Sequence, residues 1–302
     1  MDVLMIGLGR MGANMAERLL GGGHRLVAYD PNPAAVKQIE SKGAAGRSSI
    51  YESLVDLKTP RVVWLMVPSG DAVESTLETL AKILAAGDIV VDGGNSNYRD
   101  TVRRAAKLKE RGIHFVDVGT SGGIWGLSEG YCMMVGGDRE PVEKLKPILQ
   151  TLAPAPDRGW GHVGPSGSGH FVKMIHNGIE YGLMQAFAEG FALLERKREF
   201  QLDLLQIAEI WREGSVVRSW LLDLIARALA ENPGLERIRP YVGDSGEGRW
   251  TVIEAVDLEV AAPVMTLSLF ERYRSRDPNS FSDRLLAVMR QQFGGHPVKT
   301  EE

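Results

Sequence analysis

Residues 3–12 read VLMIGLGRMG, and the spacing inside this run decides the fold. An apolar strand is followed by Gly7, Gly9 and Gly12 in the order G-x-G-x-x-G, with Leu8, Arg10 and Met11 between them. Gly7 permits a tight turn, Gly9 lets a pyrophosphate approach the backbone, and Gly12 lets the next helix pack on the strand. The amino end of that helix then faces the phosphates. Helical periodicity runs to Leu20, glycines 21–23 stop it, and a second strand, RLVAYD (25–30), ends in Asp30. An acid at that point accepts hydrogen bonds from an adenosine ribose. A glycine triplet alone is weak. Strand, triplet, helix, strand and acid in order specify a dinucleotide site.

The alternation continues. RVVWLMVP (61–68) and DIVVDGGN (88–95) read as buried parallel strands separated by a helix over 71–84. A helix over 99–111 leads to HFVDVG (114–119), and GYCMMVGG (130–137) supplies a further strand. This pattern predicts an α/β, Rossmann-like doubly wound domain whose ligands collect beyond the carboxyl ends of the strands. Three loops lie there: VPSG with Val67 and Pro68, DGGNS with Asn95, and GTSGG from Gly119. After the junction GPSGSG (164–169) helical periodicity takes over, at 203–213, 215–230, 251–257, 263–274 and 281–293. The expected division is a dinucleotide-binding domain over 1–165 and an all-helical substrate-binding and oligomerisation domain over 166–302.

With 302 residues, 44% hydrophobic and 25% charged, the chain has the composition of a soluble globular protein with room for two domains. No apolar run approaches the roughly 20 residues that span a bilayer, and the start lacks the basic opening of a secretion signal, so a cytoplasmic enzyme is expected. The net charge of −4 disfavours nucleic acid as a partner. The single cysteine, Cys132, excludes an internal disulfide framework and a cysteine-rich metal site, and its apolar strand predicts inert core.

One helical stretch concentrates the chemistry. In KMIHNGIEYG (173–182), Lys173, His176, Asn177, Glu180 and Tyr181 fall within an arc of roughly 140°, with Ile175 and Ile179 on the other side. Gly178, Gly182, Ala186 and Gly190 recur every fourth position, a row of small residues that admits another helix closely. In isolation such a stripe reads as a solvated polar face. His24, His114 and His162 have no partner pattern and are expected to be structural, whereas His170 could line the cofactor site or cap a helix.

Taken together, DGGNS (92–96), TSGG (120–123), GHFVKMIHNGIEYG (169–182), GRWT (248–251) and FGGH (293–296) resemble the decarboxylating 6-phosphogluconate dehydrogenases, shorter-chain branch, within the β-hydroxyacid dehydrogenase superfamily. Relatives such as 3-hydroxyisobutyrate dehydrogenase share the dinucleotide fold, the Ser-Gly-Gly loop and the lysine, but typically carry two asparagines after it and lack the glutamate. His176-Asn177 with Glu180 favours the phosphogluconate branch. The resemblance implies that Asn95, Ser121, Gly122 and Gly123 hold a phosphosugar acid together with His176, Asn177 and Tyr181. It matches Arg272 to a phosphate-binding arginine, and Arg290 and His296 to a pair donated by a neighbouring subunit, hence at least a homodimer. Ser245 and Glu247 stand where many members have lysine and threonine, and nearby Arg249 could substitute in the phosphate grip.

The implied reaction is oxidation of 6-phosphogluconate at C3, loss of CO2 and release of ribulose 5-phosphate. Removing hydride from C3 needs a base for its hydroxyl proton, and Lys173 has the reach and capacity. The ketone is β to the carboxylate, so decarboxylation leaves an enediolate that the protonated lysine can stabilise, making a metal unnecessary. Glu180, two helical turns or roughly 10 Å along the axis, suits proton delivery at C1. Asp30 and the absence of arginine in the following PNP favour NAD, with NADP possible because Arg10 lies in the glycine loop. The weighed alternatives are a dehydrogenase of a smaller β-hydroxyacid and a non-catalytic dinucleotide sensor, for which Lys173 with Glu180 would have no use.

Overall fold

The structure, a computed structural model, describes residues 1–300. Contacts divide the chain into two compact units, Met1–His176 and Asn177 onward. The first is built on one eight-stranded sheet. Its strands are β1 (Asp2–Ile6), β2 (Arg25–Tyr29), β3 (Ala45–Gly46), β4 (Val62–Leu65), β5 (Ile89–Asp92), β6 (His114–Ser121), β7 (Cys132–Gly136) and β8 (Trp160–Gly164). Their spatial order is β3-β2-β1-β4-β5-β6-β7-β8, and every pairing is parallel except the antiparallel β6–β7. The chain reverses its winding between β1 and β4, which opens the crevice where such sheets bind ligands.

Both faces of the sheet are covered, which explains the unbroken apolar runs. Val3, Met5, Trp64 and Val91 join the core on one side, and Leu4, Ile6, Val63, Leu65 and Val90 the core on the other. The predicted helices appear as Asp71–Ala81 and Tyr98–Lys109. Among the elements the sequence reading did not give are the short helices Pro33–Glu40 and Ile50–Val55, β3, the helix Arg139–Leu152, interrupted in pattern by Pro147, and β8, whose glycines and half-exposed residues hide its period. Cys132 departs from expectation. Alternation along β7 buries Met133 and Val135 and turns the cysteine outward, where it is exposed.

The helix Ser168–Arg196 begins in the first unit and is seated on β6 and β7 by glycines. A methyl group on Gly169 would lie 2.4 Å from the Met134 carbonyl oxygen and 2.8 Å from that of Asp117. One on Gly136 would strike the Asp117 carboxylate at 2.6 Å. That carboxylate is fully buried and accepts the amides of Gly167 at 2.7 Å and His170 at 2.9 Å, capping the helix from a neighbouring strand. Because these first turns pack on the sheet, the contact division falls after His176 rather than at the glycine-rich junction near residue 165.

The second unit holds the helices Leu204–Arg212, Trp220–Glu231, Glu247–Asp257, Pro263–Arg274 and Phe281–Gly294. Ser219 caps the second of these by accepting the Leu222 amide, so it starts later than its apolar pattern suggests. The row of small residues admits close neighbours: a methyl on Gly178 would lie 2.6 Å from Thr251 Cγ2, and one on Gly182 3.2 Å from Val264 Cγ1. Gly190 faces open space. The core is small, Ala208, Leu222, Ala226 and Leu229 with Phe187, Phe191 and Trp211, while Ile253, Val256, Val264, Leu267 and Phe270 are exposed. No helix among the described residues is long and apolar enough to cross a membrane.

The seat of the long helix gives a direct test. Gly169→Ala places its methyl against backbone, which cannot swing aside, so stability should fall by roughly 1–3 kcal/mol. Thermal unfolding of variant and wild type, followed by circular dichroism, measures this. An unchanged melting temperature would show that the helix does not depend on that close approach.

Candidate active site

A cleft of about 610 Å³ opens at the carboxyl ends of β1, β4 and β5. Gly7, Gly9, Arg10, Met11, Gly12, Asp30, Val67, Pro68 and Asn95 all line it. The glycines act as their positions require: Gly7 has φ +94°, and a methyl on Gly12 would lie 2.1 Å from the Gly7 carbonyl oxygen. Leu8 is the exception among the predicted residues. Its side chain is buried, and its amide instead donates to Asp30 at 2.7 Å. The other Asp30 oxygen accepts the Asn32 amide at 2.7 Å, so the carboxylate is clamped at the rim from both sides. Arg10 is exposed.

The next two loops are zipped together. Asn95, at φ +53°, donates from Nδ2 to the Thr120 carbonyl at 3.0 Å and accepts the Thr120 amide on Oδ1 at 2.8 Å. Ser121, Gly122 and Gly123 follow directly, with the two glycines at φ +127° and +52°. Behind Asn95, the buried Asp92 carboxylate accepts the Ser96 hydroxyl at 2.7 Å and the Gly94 amide at 3.1 Å. Arg104, equally buried, stands 3.6 Å from Asp92 and also reaches Glu74 at 2.9 Å and the Gly70 carbonyl at 3.4 Å. It thereby links the loop after β4 to the loop after β5.

Lys173 is 5% exposed and its amine lies 3.2 Å from His176 Nδ1. A methyl on Gly119 would lie 2.4 Å from Lys173 Cβ, so the absence of a side chain there lets the lysine stand against the end of β6. The first unit thus gathers Asn95, Ser121, Gly122, Gly123, Lys173 and His176 around the ends of β5 and β6. His170 belongs to neither a cofactor contact nor a simple cap. It is 1% exposed, with Nδ1 at 2.7 Å from the Thr101 hydroxyl and Nε2 at 3.1 Å from the Asp92 carbonyl.

In the second unit, Tyr181 is buried and Gly248 makes room for its ring. The Arg272 guanidinium lies 3.5 Å from the centre of that ring and donates to the Gly243 carbonyl at 2.7 Å. The Ser245 amide donates to the Tyr181 hydroxyl at 3.3 Å, and the Ser245 hydroxyl donates to Glu247. Arg249, the suggested replacement cation, is exposed and already carries one carboxylate partner. It grips the buried Asp244 at 2.7 Å, as Arg276 does at 2.9 Å. Burial alone would raise the Asp244 carboxyl, but those two arginines outweigh it and hold the group below the usual range. Arg290 and His296 are exposed on and just beyond the last helix.

Asp117, Arg104 and Asp244 were missed by reading the sequence for chemistry. A signal existed for two of them. Asp117 interrupts an apolar strand, and Arg104 falls on the same helical face as the buried Thr101 and Leu108.

Sheet, crevice and glycine loop define a dinucleotide-binding oxidoreductase. The family model described as the NAD binding domain of 6-phosphogluconate dehydrogenase matches residues 2–163, and that of the enzyme's C-terminal domain matches residues 169–289. A Bacillus subtilis relative, YqeC, whose name assigns it provisionally to the same enzyme, is 44% identical over 299 residues, 99% of both chains. A Haloferax volcanii protein named as an NAD(+)-dependent, decarboxylating 6-phosphogluconate dehydrogenase is 43% identical, covering all of both chains. Relatives named for NADP(+) also occur. Among solved structures, 6-phosphogluconate dehydrogenase of Plasmodium falciparum superposes with a TM-score of 0.84 at 28% identity, over 100% of this chain and 66% of that longer one. The chain belongs to the 6-phosphogluconate dehydrogenase family.

Proposed function

We propose that the chain oxidises 6-phosphogluconate at C3 and decarboxylates the product, giving ribulose 5-phosphate, CO2 and a reduced nicotinamide cofactor. The observation that carries the reading is the placement of Lys173, buried, beside His176 and fixed against the end of β6 next to the Ser-Gly-Gly loop. A bound dinucleotide would supply the hydride acceptor, held by the glycine loop, Val67, Pro68 and Asp30. Asn95, Ser121, Gly122, Gly123, His176, Asn177 and Tyr181 would hold the sugar acid, with Arg272 on its phosphate. Lys173 takes the C3 hydroxyl proton as hydride leaves C3. The β-ketoacid then loses CO2, and the lysine ammonium stabilises the enediolate oxygen and returns a proton to it. Glu180 gives a proton to the carbon that becomes C1 of ribulose 5-phosphate (C2 of the substrate) as Lys173 takes the enediol hydroxyl proton, and Asn177 orients the substrate. A non-catalytic dinucleotide sensor would have no use for this set.

Replacing Lys173 with Met keeps length and packing but removes the base, so turnover should drop by on the order of 10²–10⁴-fold. Glu180→Gln should impair protonation of the enediol while NAD binding survives. The first is read from reduced cofactor and CO2 measured together and the second from ribulose 5-phosphate formed per CO2 released; near-normal turnover of Lys173→Met would sink the mechanism.

Cofactor choice should favour NAD. The clamped Asp30 carboxylate at the cleft rim suits a 2′-hydroxyl and repels a 2′-phosphate. Steady-state kinetics with each cofactor decide it: equal or better catalytic efficiency with NADP contradicts this reading, and Asp30→Asn should shift the ratio toward NADP.

The active unit should be at least a homodimer in the cytoplasm. Arg290 makes no ion pair among the described residues and stands exposed, as a residue donated to another subunit would. With Arg249 committed to Asp244, the phosphate needs further cations, and Arg290 with His296 can supply them in bidentate and single contacts. Mixing a subunit lacking residues 290–302 with a Lys173→Met subunit should restore activity, since each lacks a different half of the site. No recovery despite demonstrated subunit exchange would count against a shared site.

A further inference from the structure

His170 has no place in the reaction just described, yet it is one of the most completely buried and engaged side chains near it. Its main-chain amide donates to Asp117 at 2.9 Å. Its ring spans two other elements, touching the Asp92 carbonyl at 3.1 Å and the Thr101 hydroxyl at 2.7 Å. A carbonyl oxygen can only accept, so Nε2 carries a proton, while Nδ1 bonds the Thr101 hydroxyl, which also reaches the Asn97 carbonyl at 3.2 Å. The ring is therefore a strut with both nitrogens engaged.

What the strut connects gives it a role. Asp92 ends β5 and begins the loop that carries Asn95. Asn95 is bonded both ways to Thr120, adjacent to Ser121. Gly119, one residue earlier, lies against Lys173 Cβ, and Lys173 follows His170 by less than one helical turn. Asp92, Asn95, Thr120, Gly119, Lys173 and His170 thus form a closed circuit, and the histidine is the member that ties the helix back to the β5 loop.

We propose that His170 is a positioning residue that fixes the Lys173 amine relative to the Asn95 and Ser121 loops. This rests on Lys173 being the base. Loss of the Nε2 donor would let the helix drift from the β5 loop, while that loop stays bonded to Thr120 and keeps its place in the cleft with the glycine loop and Asp30, so the dinucleotide is retained. Displacement of a reacting group by about 1 Å costs on the order of 10²-fold in rate without preventing binding.

The test uses the full-length enzyme with His170→Gln, His170→Asn and His170→Ala. Glutamine can place an N–H where Nε2 donates to Asp92. Asparagine reaches only the Nδ1 position, and alanine reaches neither. Turnover, the Michaelis constant for 6-phosphogluconate, NAD affinity by fluorescence, and the isotope effect with substrate deuterated at C3 are measured for each. Asparagine and alanine should lower kcat by roughly 10- to 100-fold with NAD affinity unchanged. The isotope effect on kcat should rise as hydride transfer becomes the slow step, and glutamine should restore most of kcat. Normal kcat in the asparagine variant, a glutamine variant no better than alanine, or loss of NAD affinity in step with kcat would each overturn the proposal. Lys173→Met, assayed alongside, separates the two ideas. If that variant turns over normally the base assignment has failed, whereas a dead Lys173→Met beside a normal His170→Asn removes only the strut.

Discussion

The buried carboxylate of Asp117 is the constraint from which the active-site geometry follows. A charged group with no exposure, in the middle of an apolar strand, is tolerated only when its oxygens are satisfied. Here the partners are the amides of Gly167 and His170, donors that a helix start would otherwise leave unpaired. One interaction therefore meets two needs, and the partial positive charge at the helix amino end adds to it. Once the helix start is fixed on β6, Lys173 has one place to stand. The glycines at 119, 136 and 169 follow as consequences, because any side chain at those positions would push the helix off the carboxylate.

Legibility tracked the number of residues over which a signal repeats. The dinucleotide crevice was readable because turn, close approach and packing each demand glycine at a fixed spacing, and the resulting cleft is lined by those residues. The Lys173 stripe was readable because helical periodicity collected polar groups on one arc. The buried polar framework was not, since Asp117, Arg104 and His170 act through partners distant in sequence: Asp92, Thr101 and Glu74 have no spacing rule that points to them. The short β8 failed for a different reason. It is held by backbone pairing to β7, and its glycines carry no side-chain alternation to detect.

Arg249 shows how far composition misleads when counting cations for an anionic substrate. Arg249, Arg272 and Arg276 all fall in the last third of the chain and by count would suggest a rich phosphate grip. Asp244 binds two of them and is held ionised by both, so much of the local positive charge is already neutralised. Arg272 differs in kind. Its ring stacking and its bond to a neutral carbonyl fix the guanidinium without cancelling its charge.

The contact division after His176 falls within the polar stripe. Lys173 and His176 pack with the unit that carries the dinucleotide cleft, where the hydride must be accepted. Asn177, Glu180 and Tyr181 pack with the helical unit, which also carries Arg272. One helix, Ser168–Arg196, carries every residue of the stripe, and its rise of about 1.5 Å per residue sets their axial spacing.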